Sequence, residues 1–292
     1  MSPSGAAQWV EVEGRRVRLT SLDRVLFPDG TTKAEVVAYY TAVAPALLRQ
    51  LRDRPVTRVR WPEGVSGERF FEKNVPAGAP EWLRRRRMAA SPGSDDGTVV
   101  EFPFLDDLPG LVWTANQSAL ELHTPQWRVL TDGTVTNPDR LVVDLDPGPP
   151  AGLDECAVVA RIVADRLAED GLRTTFPVTS GSKGMQLYAP LDGTLSAMQV
   201  REYARNVAEE LAARHELVLA TMTRTLRPGK VLLDWSQNHP AKTTITPYSL
   251  RGRERPAVAA PRTWDEVGPG MIQLSPDEVV RRLATDGDLL AP

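Results

Sequence analysis

The sequence predicts an α/β fold of the α+β kind, and three observations support it. Strand-like and helix-like segments alternate through the second half of the chain. Several segments repeat apolar residues at helical spacing, and others are short apolar runs rich in β-branched residues. A chain of 292 residues can bury a sizeable core, as one large domain or as two packed subdomains.

Four segments are predicted as helices. The first opens with Thr32 and Glu35, which have the spacing of a capping box. In the third, Ser196 is followed three residues later by Gln199, and Gly171 is a suitable C-terminal cap for the second. The four predicted ranges are 31–51, 153–169, a helix beginning at 196, and a short helix near 276–284.

Seven apolar runs are predicted as strands, over residues 99–104, 120–123, 127–130, 141–145, 174–178, 186–189 and 231–235. The segment 84–97 ends in a run of Ser, Pro, Gly and Asp, and this composition predicts an exposed loop. Residues 1–8 are predicted to be disordered.

Composition excludes several classes of protein. The hydrophobic content of 41% is ordinary for a globular protein, and no apolar run approaches the ~20 residues of a bilayer-spanning helix. The single cysteine, Cys156, excludes an internal disulfide, and the first residues lack the build of a secretion signal. A cytoplasmic location is therefore expected. The net charge of −3 gives no global attraction for nucleic acid, although arginines cluster locally.

Two carboxylates two residues apart mark the most informative strand. Asp144 and Asp146 should share one face, with Leu141, Val143 and Leu145 on the other. Like charges this close need compensation, and a divalent cation bound through carboxylate oxygens would supply it. Asp-x-Asp alone is more often a strand running into a polar turn, but Asp234, at the end of another apolar run, favours a metal site.

The segment 179–184 contains two glycines, two serines and a lysine between two predicted strands. Its backbone N–H groups, Lys183 and the hydroxyls of Ser180 or Ser182 could cradle a phosphate. A tight hairpin is the commoner structure for such a segment. Arg227 and Lys230 precede Asp234 in sequence, so basic and acidic side chains are expected close together. A bound polyphosphate with metal ions would lie between them, the metal on the carboxylates and the phosphates on the cations.

Two further features have a structural and a functional interpretation. His123 at a strand end is more often structural than catalytic, and the three histidines lack zinc-site spacing. Phe70 and Phe71 should point to opposite faces of one strand, so at least one is exposed. An exposed phenylalanine near arginines can stack on bases, although a hydrophobic edge residue is the commoner case.

These motifs together resemble the polymerase domain of bacterial DNA ligase D, a member of the archaeo-eukaryotic primase superfamily. The resemblance covers nearly the whole chain. It is carried by the segments 23–28, 31–33, 54–58, 61–62, 70–73, 120–127, 143–147, 179–184, 234–238 and 247–253.

The resemblance implies a primase-like fold, in which an N-terminal α/β module and an RRM-like module enclose a central cleft. Residues 9–292 would form a single primase-polymerase domain of two interlocked subdomains, either a stand-alone homologue or an excised domain. It implies a template-dependent, metal-dependent nucleotidyltransferase (a DNA/RNA polymerase or primase-like enzyme) with two Mn²⁺ or Mg²⁺ ions. This enzyme would add nucleotides from nucleoside triphosphates to 3′ ends in end-joining or gap-filling repair. Ribonucleotides would be preferred. The implied partners are 5′-phosphorylated DNA ends, template-primer, the Ku end-binding protein and an ATP-dependent DNA ligase, in a nucleoid-associated bacterial setting.

The resemblance also implies roles for individual residues. Asp144, Asp146 and Asp234 match the family's catalytic metal ligands. The residues that match or line its nucleotide pocket are His123, Ser180, Ser182, Lys183, Gln186, Arg227, Lys230, Gln237 and Arg251. The DNA-binding residues are Arg24 and Lys33 at the 5′-phosphate, Arg60, and the template-stacking pair Phe70 and Phe71.

One position departs from the family pattern. Gln186 stands where the family usually carries a histidine that contacts the triphosphate, and glutamine keeps a donor but no positive charge. A catalytically weakened module that recognises 5′-phosphates of DNA ends is therefore the alternative. A third class, another metal-dependent enzyme acting on phosphates, leaves the phenylalanine pair and the 5′-end cations without a role.

Overall fold

The computed structural model describes residues 7–90 and 98–291 of the chain. In this part the helices are α1 (Lys33–Leu51), α2 (Leu108–Asn116), α3 (Leu153–Glu169), α4 (Ala197–Arg214) and α5 (Pro276–Thr285). Short 3₁₀ turns lie at Arg224–Leu226, Trp235–Asn238 and Trp264–Glu266.

The strands of the first half are β1 (Gln8–Val12), β2 (Arg15–Leu19), β3 (Thr57–Arg60), β4 (Phe70–Glu72), β5 (Arg85–Ala89), β6 (Val99–Pro103), β7 (Ala119–Thr124) and β8 (Arg140–Pro147). Those of the second half are β9 (Phe176–Thr179), β10 (Met185–Pro190), β11 (Val218–Leu219), β12 (Val231–Asp234), β13 (Thr244–Ile245), β14 (Leu250–Arg251), β15 (Ala257–Val258) and β16 (Ala260–Pro261).

The chain divides into two compact units and crosses between them several times. Unit 1 contains the described residues up to Thr124, together with Ile245–Val258 and Ser275–Asp288. Unit 2 contains Pro125–Thr244, Ala259–Leu274 and the described residues from Leu289 onward.

Unit 1 is built around helix α1 and a sheet with the strand order β13-β7-β3-β4. The capping box that the sequence predicts is present, because Thr32 N–H donates to Glu35 Oε2 at 2.7 Å and Glu35 N–H donates to Thr32 Oγ1. The buried side of α1 carries Tyr40, whose hydroxyl donates to the Leu120 carbonyl of β7 at 2.6 Å. The helix is thereby joined to the sheet that bears the site residues of this unit.

Unit 2 is a six-stranded sheet, in the order β11-β12-β8-β10-β9-β16, with helices against one face. Leu141, Val143 and Leu145 of β8 are buried with the apolar sides of α3 and α4. Side chains alternate along a strand, so Asp144 and Asp146 lie on the opposite face, where they are half-buried. The predicted division of this strand into an apolar and an acidic face is confirmed.

The prediction of elements was accurate where periodicity was strong. All four predicted helices form, and α3 ends just before Gly171, which has the positive φ of 90° expected at a C-terminal cap. The hairpin at 179–184 is confirmed, since β9 and β10 pair antiparallel across it.

Three predictions are wrong. Residues 127–130 do not form a strand, because Val129 makes only an isolated bridge to Val135 within a turn. In the segment predicted as a loop, residues 84–97, most of the described part is instead strand β5. In this strand Arg87 lies directly opposite Glu101 of β6, which is a favourable cross-strand pair. Residues 91–97 lie outside the described residues. The predicted disordered segment is too long, because β1 begins at Gln8, while residues 1–6 lie outside the described residues.

Strands β1 to β3 and helix α2 had no counterpart among the predicted elements, whereas β4 is the strand that was predicted to carry Phe70 and Phe71. The turn between β1 and β2 consists of Glu13 and Gly14, both with positive φ, which is the geometry of a two-residue hairpin turn. Among the helices of residues 7–90 and 98–291, none combines the length and apolar character that crossing a bilayer requires.

Candidate functional site

The three aspartates of the predicted metal site meet on one face of the unit 2 sheet. Asp234 of β12 is the direct cross-strand partner of Asp144 on β8, and Asp146 lies two residues along β8 on the same face. Directly opposed residues in an antiparallel pair have Cβ atoms about 4.5–5.5 Å apart. Sheet register therefore brings together carboxylates that are 88 to 90 residues apart in sequence.

Protein donors occupy the carboxylates of Asp146 and Asp234. Asp146 Oδ1 lies 2.8 Å from Lys183 Nζ, and Asp146 Oδ2 accepts from Arg227 Nη1 at 2.9 Å. Asp234 Oδ1 accepts from the Ser236 hydroxyl at 2.6 Å, and Asp234 Oδ2 accepts from Gln237 Nε2 at 2.8 Å. Lys183 and Arg227 thus supply part of the charge compensation that the paired aspartates require.

The residue types fit a magnesium or manganese site, because three carboxylates on one face offer the hard oxygen ligands that both ions prefer. The side chains are turned toward their protein donors, however. Across residues 7–90 and 98–291, no three Asp, Glu, His or Cys side chains are grouped closely enough to hold a metal ion. Ion binding would require Asp146 and Asp234 to exchange these donors for the metal.

A tight backbone contact positions Arg227 beside Asp146. Gly148, just after β8, donates its N–H to the Lys230 carbonyl at 2.8 Å and accepts from Gly229 N–H at 2.9 Å. A Cβ atom at Gly148 would lie 2.1 Å from the Arg227 carbonyl oxygen, so only glycine allows this approach. Lys230 therefore contributes its backbone carbonyl to this contact with Gly148, and its side chain is half-buried.

The turn between β9 and β10 is held from both sides. A Cβ atom at Gly184 would lie 2.1 Å from the Leu145 carbonyl oxygen, so glycine permits the turn to close onto β8. Gln273 spans the turn, accepting from Gly181 N–H at 2.7 Å and donating to the Gly184 carbonyl at 3.0 Å. Nothing in the sequence indicated this role for Gln273.

Two of the backbone N–H groups predicted to face an anion donate within the protein instead. Gly181 N–H donates to Gln273, and Ser182 N–H donates to the Ser180 hydroxyl oxygen at 3.3 Å. Lys183, whose side chain is 57% exposed, is therefore the principal group that this turn can offer to a phosphate.

Gln186 is buried on β10, directly opposite Asp144 on β8. Its side-chain carbonyl accepts from the Tyr188 hydroxyl at 2.8 Å, so the amide is oriented by a neighbour two residues along the same strand. The guanidinium of Arg140 lies over the Tyr188 ring at 5.2 Å from its centroid. The position that departs from the family pattern thus belongs to a buried polar network on the acidic face of the sheet.

In unit 1, Glu121 contacts both His123 and Arg251, two of the predicted nucleotide-binding residues. Its carboxylate lies 2.8 Å from His123 Nε2 and 3.3 Å from Arg251 Nη1, and it accepts from Gly252 N–H at 3.0 Å. Burial alone would raise the pKa of Glu121, but the hydrogen bond from His123 and the nearby Arg251 outweigh it and lower the pKa to about 2. Glu121 was not among the predicted site residues, although its position two residues before His123 on a strand was a usable signal.

The phenylalanine pair lies on the edge strand β4, and its two rings face opposite sides as predicted. Phe71 pairs with Val59 and Phe70 pairs with Arg60, adjacent residues of β3. Both residues are exposed, with relative solvent accessibilities of 60% for Phe71 and 41% for Phe70. The Phe71 ring stands edge-on to His123, with 6.3 Å between ring centroids.

The predicted 5′-phosphate residues form a cluster of cations in unit 1. Lys33 is buried and donates to the Thr20 carbonyl at 2.7 Å. Burial, together with the nearby charges of Arg24 and Arg60, lowers the pKa of Lys33 to about 8. Arg24 also pairs with Glu63 at 2.8 Å, and Arg60 pairs with Glu72 at 2.8 Å.

A family model describing the primase-polymerase domain of LigD matches residues 32–290. The chain belongs to this family.

Individual LigD proteins agree with that assignment. The chain is 50% identical over 284 residues, 94% of its length, to the multifunctional non-homologous end joining DNA repair protein LigD of Mycobacterium tuberculosis. It is 34% identical over 93% of its length to the bifunctional non-homologous end joining protein LigD of Bacillus subtilis. These matches cover 37% and 43% of the two relatives, so the chain spans less than half the length of either.

The fold of this LigD primase-polymerase domain also matches a solved structure, the polymerase domain of Mycobacterium tuberculosis ligase D in complex with DNA. The TM-score is 0.89 with 48% sequence identity, and the match covers 94% of this chain and 96% of the other. The predicted family, the α/β primase-like fold class and the nucleotidyltransferase class are therefore confirmed.

Proposed function

We propose that this primase-polymerase domain adds nucleotides, ribonucleotides in preference, to the 3′ end of a DNA primer at 5′-phosphorylated gaps or ends. The observation that carries the proposal is the alignment of Asp144, Asp146 and Asp234 on one sheet face beside Lys183 and Arg227. Acidic and basic groups in this proximity suit a reaction that brings polyphosphate and divalent cations together. The ribonucleotide preference rests on the family resemblance.

Asp144, Asp146 and Asp234 are the residues that would hold two Mn²⁺ or Mg²⁺ ions. Bound there, the ions would lower the pKa of the primer 3′-hydroxyl and offset the charge of the departing pyrophosphate. Lys183 and Arg227 would turn from Asp146 to the triphosphate as these carboxylates engage the ions. In the described part of the chain the buried Arg227 Nε has no acceptor, so this guanidinium keeps a donor for a phosphate oxygen.

The remaining nucleotide-binding residues would orient the triphosphate and sugar. Gln186 offers its amide beside Asp144, and Gln237 holds Asp234 until the site is filled. Ser180 and Ser182 would offer their hydroxyls to the triphosphate next to Lys183. Lys230, three residues after Arg227 in sequence, would add a further positive charge. In unit 1, His123 and Arg251 are kept in position by Glu121.

DNA would be recognised by the cations and exposed rings of unit 1. Arg24, Lys33 and Arg60 would bind the 5′-phosphate, and Phe70 and Phe71 would stack on template bases. The relatives are named for non-homologous end joining, which supports the Ku end-binding protein and an ATP-dependent DNA ligase as partners. These partners imply a cytoplasmic, nucleoid-associated site of action.

The test is primer extension on a gapped duplex with a 5′-phosphate at the distal side of the gap. The protein is incubated with Mn²⁺ and either ribonucleoside or deoxyribonucleoside triphosphates, and a 5′-hydroxyl duplex is the matched control. We expect templated addition that is faster with ribonucleotides and with the phosphorylated duplex. Tight, phosphate-dependent binding without any addition would instead favour the non-catalytic end-binding module, for which Gln186 is the supporting observation.

A further inference from the structure

We propose that the exposed face of the β1–β2 hairpin binds an unpaired nucleotide of DNA beside the phosphorylated end. The inference rests on the proposed function, because it extends the DNA contact of unit 1 beyond the cluster of Lys33, Arg24 and Arg60. None of the groups assigned above to metal, triphosphate, 5′-phosphate or template stacking belongs to this hairpin.

The hairpin has one buried and one exposed face. Val17 and Leu19 are buried in unit 1, with relative exposures of 1% and 6%. The outward side chains are Trp9, Glu11, Arg16 and Arg18, all of them exposed. Trp9 is 58% exposed, although an indole of this size ordinarily buries most of its surface. The Trp9 indole is therefore accessible for stacking on a ligand.

The side chains around the indole identify the chemistry of that ligand. Arg18 is the direct cross-strand partner of Trp9, and the guanidinium of Arg16 lies over the indole at 4.9 Å from the ring centroid. An aromatic surface with one guanidinium over it and a second arginine directly across the strand pair matches a base with its adjoining phosphates. Inside a duplex each base is already stacked on both of its neighbours, so an intact duplex offers the indole a free base face only at its ends. The proposed ligand is therefore an unpaired base of a single-stranded segment.

Glu11 limits the positive charge of this face. It lies directly opposite Arg16, where its carboxylate offsets part of the positive charge that a phosphate would meet. Neutralising Glu11 should therefore strengthen binding, whereas a purely structural hairpin would show no such gain.

The hairpin is continuous with the proposed 5′-phosphate site. Asn116 accepts from Thr20 N–H at 2.9 Å and donates to the Arg18 carbonyl at 3.1 Å, which fixes the end of β2. The Thr20 carbonyl in turn accepts from Lys33 Nζ. Thr20 follows the Trp9–Arg18 pair by two residues, about 7 Å along an extended chain. That separation corresponds to roughly two nucleotides at 3.4 Å of rise per base step.

The test compares two 5′-phosphorylated DNAs by fluorescence anisotropy, one carrying an unpaired overhang and one blunt. We expect Trp9→Ala to weaken binding of the overhang DNA about fivefold or more, as loss of a stacked base does, and to leave the blunt duplex unchanged. Trp9→Phe should retain most of the affinity. Arg18→Ala should lower the salt dependence of overhang binding by about 0.7 in log–log slope, the value for one single-strand phosphate.

Glu11→Gln should tighten overhang binding about two- to threefold, the gain expected when one opposing surface charge is removed. Arg214→Ala, which removes an exposed charge on α4 of unit 2, is the control and should change neither DNA. Equal weakening on overhang and blunt DNA, or no effect of Trp9→Ala, would overturn the inference. If Trp9→Ala proved unstable, the other two variants would test the inference, because Arg18→Ala should weaken overhang binding and Glu11→Gln should strengthen it.

This experiment separates the inference from the proposed function. Normal primer extension together with Trp9-independent binding would reject the hairpin contact alone. Trp9-dependent binding by a protein that adds no nucleotide would reject the polymerase proposal alone.

Discussion

The acidic face of unit 2 and the basic and aromatic surface of unit 1 are organised by different physical means. In unit 2, three carboxylates are neighbours because β8 and β12 pair in one register, and Lys183 and Arg227 offset part of their charge. In unit 1, individual buried side chains hold the predicted site residues in place, as Glu121 holds His123 and Arg251.

The two regions should therefore tolerate different substitutions. A sheet register persists when one side chain is replaced, so substitutions on the unit 2 face should remove chemistry and leave the structure intact. Glu121 is buried with several partners, so removing its charge should disturb position and stability together.

The largest effect is expected for Asp144→Asn. Loss of one carboxylate from the acidic face should reduce primer extension by roughly 10³-fold, because metal and transition-state charge stabilisation are lost together. Binding of a 5′-phosphorylated duplex should change less than twofold, since the proposed contacts lie in unit 1. Asp165→Asn, at an exposed acid of α3, is the control and should retain full activity. Comparable residual activity in both variants would remove Asp144 from the catalytic set.

Glu121→Gln is expected to reduce kcat/KM for the nucleotide by roughly 10- to 100-fold, mainly through KM, because a neutral amide holds Arg251 less firmly. Stability should also change with pH. The pKa of Glu121, about 2, is below its ordinary value near 4.5, so its stabilisation is fully present above pH 4.5 and is lost as pH falls toward 2.

Urea unfolding of the wild type and Glu121→Gln at several pH values measures that contribution. The difference in unfolding free energy should be on the order of 3 kcal/mol at pH 7 and should shrink below pH 4.5. Glu81→Gln, at an exposed glutamate of the same unit, should show no difference at any pH. A pH-independent difference would mean that Glu121 contributes through packing and not through its charge.

If Lys33 binds the 5′-phosphate as proposed, recognition of that phosphate should depend on pH. The Lys33 pKa of about 8 means that the ammonium is largely charged at pH 7 and mostly neutral at pH 9. The preference for a 5′-phosphorylated over a 5′-hydroxyl duplex should therefore fall about tenfold between these pH values. Binding constants for the two duplexes, measured at constant ionic strength, test this. In Lys33→Met the preference should be low at both pH values, and a pH-dependent preference in that variant would assign the titration to another group.

The contrast between the two units also explains how far sequence alone could predict the site. Asp144 and Asp146 were predictable as neighbours, because strand alternation follows from the pattern of β8. Asp234 was recognisable as a third carboxylate at the end of another apolar run. Its position opposite Asp144 depends on which strands pair, which local sequence does not encode. Gln273 bridges a turn about 90 residues away, and no periodicity encodes such a contact. The hairpin of β1 and β2 was missed although its signals were visible: Glu13 and Gly14 form a turn dipeptide, and the buried Val17 and Leu19 alternate with exposed arginines.

The smallest effect is expected at the buried polar network behind Asp144. Tyr188→Phe removes the hydroxyl that orients Gln186, so the amide can rotate and the KM for the nucleotide should rise about two- to fivefold. The free energy of unfolding should fall by about 1 kcal/mol. Tyr203→Phe is the matched control, because its hydroxyl donates to Asp170 at 2.9 Å on the helical side of unit 2. That variant should lose comparable stability with KM unchanged. Equal KM values for the two variants would mean that Gln186 acts independently of Tyr188, and that the acidic face is set by backbone register alone.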